Sequence, residues 1–353
     1  MTLSAYEQKE WDRLQRRKED ALGKQTRQLI PQQARERLAA LGEKAKNVPG
    51  ADKVTAAYNG AARGVGKAVG DTASRTVSKK RVIAQYQRAG HEITELDEIR
   101  SLDLRVVDAV TKQNLVRYGH ALSAAATGLT SGAVVTGGEL LAGAGSVAGA
   151  GVAAAPGIGT VAGAMAADAT LMLGLSTRTV SSTALCYGYD PRDPEEEVFV
   201  MSVIALGLSV GTSAKVAAYS ELSQLTQMLV RNVPWTKLNE KVLVKIAQRF
   251  AEKFGHHLVK RKLGQFVPVA GMIVGASLSY KLIDEIAVAA RDAYRERFLV
   301  EKSGGDLTID LDFDPARDAE DDDQEIRVIQ LLREEDALPT SSPSSDDEDE
   351  SLA

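Results

Sequence analysis

Apolar residues recur three and four positions apart through most of this chain, and that spacing predicts helices. From about Val82 onward, Ile93, Leu96, Ile99, Leu102, Leu104 and Val107 sit among charges at helical intervals. Longer runs predict helices from Ala166 to Tyr187, from Val198 to about Ala218 and from Thr236 to Lys262. An uncharged stretch, Leu263 to Tyr280, leads into a last helix ending near Phe298. Period-two alternation, the mark of a strand, is confined to Leu307, Ile309, Leu311 and Phe313. The pattern predicts a mainly α protein: a helical bundle whose central helices are Gly/Ala-rich and closely packed.

Punctuation divides the chain. Asn47-Val48-Pro49-Gly50 is a break, because proline restricts the residue before it and glycine relaxes the turn. Residues 1–48 read as a basic, polar helical arm and 49–81 as a Gly/Ala/Lys-rich linker. Residues 82–302 form the main helical domain, and 303–353 an acidic, largely disordered tail. Asp193-Pro194 followed by Glu195, Glu196 and Glu197 is a helix start: an N-cap, a first-position proline, and carboxylates on the positive end of the dipole. In the tail, Ile326, Ile329 and Leu332 predict a short amphipathic helix, a candidate partner motif.

From Leu140 to Ala167, 28 residues carry no charge, and 18 of them are glycine or alanine. Glycines four apart share a helix face and let two backbones approach. The pairs are Gly128/Gly132, Gly145/Gly149, Gly159/Gly163, Gly207/Gly211 and Gly271/Gly275. Such side-chain-poor helices, packed backbone to backbone, are expected to leave no room for a reaction centre.

Charge is uneven along the chain. Residues 1–120 hold 23 Lys/Arg against 15 Asp/Glu, whereas 303–353 hold 3 against 18. Within the predicted helix 236–262, Lys237, Lys241, Lys245, Arg249 and Lys253 form one stripe, with Lys260, Arg261 and Lys262 at its end. Val242, Ile246, Phe250, Phe254 and Leu258 form a parallel apolar stripe. A basic amphipathic helix suits an anionic lipid surface; equally, the apolar stripe could face a core and the lysines water. None of the apolar runs passes as a spanning segment, since Pro156, Pro268 and the glycines interrupt them and large side chains are few. The single cysteine, Cys186, excludes an intramolecular disulfide and a cysteine metal cage, and it reads as buried packing. With Met1–Lys24 charged and lacking a signal's apolar stretch, a cytoplasmic location is expected.

Chemistry is sparse. His91, His120, His256 and His257 show no metal-binding spacing, and no phosphate loop or dinucleotide motif is complete, so neither metal nor cofactor is expected. Gly207-Leu208-Ser209-Val210-Gly211 has the G-x-S-x-G form of a nucleophile elbow, with His256 or His257 as a following base. That elbow needs a strand before it, and these residues lie in a helical run. Asp168, after a long apolar stretch, and Arg178, alone on the same helix, are candidate ligand or partner points, because ionisable groups in apolar surroundings need a partner. Nucleic acid is not expected, because no recognition motif accompanies the basic front and the acidic tail competes for it.

Pro156-Gly157-Ile158-Gly159, Ala167-Asp168, Tyr187-Gly188-Tyr189-Asp190 and Asp193-Pro194-Glu195-Glu196 occur in an order that resembles the EcsC family, bacterial proteins named from an operon encoding an ABC transporter. The resemblance covers roughly Val82 to Lys302 and leaves the basic front and acidic tail as additions. It implies an α-helical, membrane-proximal accessory role without catalytic residues, and adds Tyr189 and Asp190 to Asp168 as candidate site positions. The resulting expectation is a non-enzymatic accessory or scaffold at the inner membrane face, docked on an anionic surface, with a membrane protein or a second copy as partner. A membrane-inserting effector, and a hydrolase or small-ligand binder using Asp168 or Ser209, are the alternatives.

Overall fold

The computed structural model describes residues 3–23, 77–112, 158–209, 212–263, 273–305, 307 and 326–339. Their elements are α1 (Ala5–Gly23), α2 (Lys79–Arg88), a 3-10 turn (Asp97–Ser101) and α3 (104–112). Next come α4 (Ile158–Cys186), α5 (Pro194–Leu208), α6 (Thr212–Val230), α7 (Glu240–Leu263), α8 (Ile273–Lys302) and α9 (Val328–Glu334). No strand occurs among the described residues, so the protein is mainly α as expected. None of these helices is long and apolar enough to cross a membrane.

α8 is the hub, packing on α4 and α5 and also on α1, α6 and the 3-10 turn. α5 is buried on every face, from Val198, Phe199 and Val200 to Ile204 and Leu206, which is why its sequence is apolar all round. Tyr294 of α8 centres an aromatic cluster, with its ring 5.1 Å from Phe199, 5.5 Å from Tyr189 and 6.4 Å from Tyr187. Cys186 is buried, and its carbonyl accepts a 2.6 Å hydrogen bond from the Tyr86 hydroxyl.

Four expectations change. Of the arm 1–48, residues 3–23 are described, and α1 lies against α6 and α8. It is fixed by Lys18–Glu296, Arg295–Glu10 at 2.8 Å and Lys302–Glu7 at 2.5 Å. The helix expected from Val198 to Ala218 is two helices, because Ser209 turns out of helical geometry (ψ 126°) between Gly207 and Gly211, where glycine lowers helix propensity. Gly207 is a contact glycine, since a Cβ there would lie 2.7 Å from the Ile286 Cα. The last helix starts inside the uncharged run, at Ile273, and reaches Lys302. Finally, residues 326–339 of the acidic tail are folded, with Val328, Ile329, Leu331 and Leu332 of α9 buried against α6, α5 and α7.

Gly128, Gly132, Gly145, Gly149, Gly211 and Gly271 lie outside the described residues, as do residues 24–76, with most of the linker 49–81, and the strand-like residues Ile309, Leu311 and Phe313. Gly159 and Gly163 lie one turn apart in α4, and Gly275 lies in α8.

Candidate functional site

The described helices leave room for a polar cleft, contrary to the expectation from their small residues. It forms where helix ends meet. After α4 the chain turns through Gly188, whose φ of +88° suits glycine. A Cβ there would lie 2.9 Å from the Leu96 carbonyl oxygen and 3.0 Å from Arg100 Cγ. That close approach sets Tyr189 and Asp190 beside the 3-10 turn. The start of α5 adds Asp193, Glu195 and Glu196; the end of α6 adds Leu229, Val230 and Asn232; the end of α8 adds Arg297, Glu301 and Gly304. The enclosed volume is about 610 Å³.

A buried ion network forms the floor. Arg297 pairs with Glu196 at 2.5 Å and with Glu301 at 3.0 Å, and its guanidinium stacks 4.1 Å from the Tyr189 ring centroid. The Tyr189 hydroxyl donates to Glu301 at 3.0 Å, and Arg100 approaches the same carboxylate at 3.6 Å. Burial pushes the Glu196 carboxyl up, with Arg297 pulling against it. Burial works against the Arg297 charge, but Glu196, Tyr189 and Glu301 outweigh it and hold its pKa above the usual guanidinium value. Asp190 is held low by hydrogen bonds from Arg192, the shorter at 2.6 Å. Asp193 stands at the N-cap without a side-chain capping bond, and its carboxyl is raised by burial and by Asp190 and Glu195.

Tyr189 and Asp190 thus sit together, while Asp168 and Arg178 do not join them. Asp168 lies 18 residues before the end of α4, about 27 Å along the axis, and Arg178 about 12 Å. Ser209 closes α5, with its hydroxyl donating to the Ala205 carbonyl at 2.9 Å and helix rather than strand before it. His257 places Nε2 3.1 Å from the Leu208 carbonyl oxygen. That arrangement is not a nucleophile elbow. No group of three or more His, Cys, Asp or Glu among the described residues could hold a metal ion.

Sequence reasoning missed Arg100, Glu196 as an ion-pair partner, Arg297 and Glu301. Glu196 and Arg297 are 101 positions apart, so no local pattern links them. A local signal did exist in Arg297 and Glu301, four apart on an aromatic-bearing helix face.

The basic stripe behaves differently from an inserting helix. Ile246, Phe250 and Phe254 are buried in the core, so the apolar face of α7 is already used. Lys241, Lys245 and Arg249 face outward, Lys253 is half-buried, and Lys260, Arg261 and Lys262 lie in the last turn. The C-terminal segment answers this row: Lys237 meets Asp336 at 2.9 Å, Lys245 meets Glu335 at 3.1 Å, and Arg249 meets Glu334 at 2.5 Å and Glu335 at 3.0 Å. The apolar side of the tail motif packs on α5, α6 and α7 of this chain.

The chain is 27% identical over 229 residues to "Uncharacterized protein YdbA" of Bacillus subtilis (strain 168), covering 64% of this chain and 71% of that one. It is 26% identical over 229 residues to "Protein EcsC" of the same organism, covering 65% and 79%. No solved structure matches. The pattern defining the EcsC protein family matches residues 5–299, so it runs from α1 into the last turn of α8 and stops before α9. With most of its length matched, the chain belongs to the EcsC protein family.

Proposed function

We propose that this protein is a non-enzymatic accessory protein that docks on the anionic inner face of a membrane through the outward row of α7. The observation that carries this reading is the occupancy of that row. Lys237, in the turn just before α7, and Lys245 and Arg249 on it already bind carboxylates, and the apolar side of α7 is committed to the core. Binding is then electrostatic, without insertion of this helix, and falls with salt.

Burial decides how the tail segment relates to the row. Each buried aliphatic side chain of α9 contributes about 1.5–3 kcal/mol, whereas each exposed ion pair contributes about 0.2–1 kcal/mol. Val328, Ile329, Leu331 and Leu332 therefore hold the segment, and Glu334, Glu335 and Asp336 only cover the row. Neutralising these three acids uncovers lysines without undocking α9.

Flotation with anionic vesicles at low salt tests the reading. Lys241→Glu, Lys245→Glu and Arg249→Glu together should abolish binding, and Glu334→Gln, Glu335→Gln and Asp336→Asn together should strengthen it. Recovery of both the native chain and the neutralised variant only in the unbound fraction would overturn the proposal.

A further inference from the structure

We propose that the cleft at the ends of α4, α5, α6 and α8 binds a small organic amine, held between the rim carboxylates Asp193 and Glu195 and the floor carboxylate Glu196. None of its lining residues belongs to the α7 row, and binding there does not depend on membrane docking.

Charge is the first support. Asp97, Asp190, Asp193, Glu195, Glu196 and Glu301 line the cleft, against only Lys79, Arg100 and Arg297. Some of these carboxylates are matched internally: Asp190 by Arg192, and Glu301 by Arg297, Arg100 and the Tyr189 hydroxyl. Among the described residues, no ion pair neutralises Asp97, Asp193 or Glu195. The unbalanced charge is negative, and it lies at the mouth.

Backbone dipoles add to it. Three helices, α4, α6 and α8, direct their C-terminal ends here, each followed by a residue of positive φ: Gly188 at 88°, Asn232 at 50° and Gly304 at 77°. Helix C-termini carry partial negative charge. Only α5 brings a positive N-terminus, and Glu195, Glu196 and Glu197 in its first turn offset that.

The floor supplies the observation that points to a ligand. Glu196 is 4% exposed and uses Oε1 on Arg297, leaving Oε2 buried with no hydrogen-bond partner. Arg297, also 4% exposed, leaves Nη1 equally bare. A buried acceptor without a donor destabilises the fold, and an ammonium N–H supplies the missing donor. The bare N–H of Arg297 suits an amine that also carries an acceptor, such as a basic amino acid, whereas the rim alone suits a polyamine. A bare metal ion fits poorly, because no three ligating side chains converge and 610 Å³ is the size of a small organic molecule's pocket.

Isothermal titration of the full chain at low ionic strength tests this, with spermidine, putrescine and arginine as separate probes. Saturable binding of any of the three is expected, and their ranking separates the polyamine from the amino-acid source. Asp193→Asn with Glu195→Gln, both at the rim and so harmless to the fold, should weaken binding about tenfold. Lys241→Glu should leave it unchanged. Three results would each overturn the proposal: no saturable heat with any amine, an equal response to magnesium chloride at matched ionic strength, or an affinity indifferent to the rim substitutions.

Discussion

Glu196 and Arg297 show how one residue pair can dominate its surroundings. Both are buried, so removing one partner leaves a largely desolvated charge without its counter-ion. Glu196→Leu or Arg297→Met alone should cost about 3–5 kcal/mol, and the two together much less, since an apolar pair of similar volume can replace a buried ion pair. Urea denaturation of the singles and the double measures this, and additive losses would refute it. Gly207 makes the opposite point, through what it lacks. A Cβ there would lie 2.7 Å from both the Ile286 Cα and its Cγ1, and the Cα cannot be trimmed away. Gly207→Ala should therefore destabilise by about 1–3 kcal/mol, and trimming Ile286 to alanine should not rescue it in thermal melts.

At the scale of elements, the C-terminal segment is the least expected feature. α9 has no side-chain cap of its own; Glu221 of α6 accepts the Val328 N–H at 2.9 Å instead. Burial raises the Glu221 carboxyl from 4.5 to about 7, against backbone N–H donation from Ile329 and Val328 and the charges of Arg327 and Arg333. Because the folded pKa lies above the unfolded one, this group's stabilisation is complete below about 4.5 and is lost as pH rises through about 7. Stability, and protection of residues 326–339 from protease, should thus fall from pH 5 towards pH 7. Glu221→Gln should flatten that slope; an unchanged slope would show that another group governs it. The amphipathic spacing of Ile326, Ile329 and Leu332 announced the helix, but acidic composition hid its docking, because a few buried aliphatics outweigh many solvated charges.

The whole molecule is organised around α8, whose last three turns carry Asp292, Arg295, Glu296, Arg297, Glu301 and Lys302 towards α1, α3, α5 and the 3-10 turn. Arg295 joins Glu10 of α1 to Asp108 of α3, and Tyr6 and Tyr187 donate to that same aspartate. This network makes the front of the chain part of the domain, in keeping with a family match that begins at residue 5. What the sequence determined by itself was helical class, the start at Asp193-Pro194 and the two-faced character of α7. These follow from local periodicity and capping, written within a few residues. Tertiary structure alone decided which face of α7 is covered, that α1 and α9 close on the bundle, and that Glu196, Arg297 and Glu301 meet in one cleft. Those outcomes depend on long-range burial and charge pairing, and no window of neighbouring residues carries them.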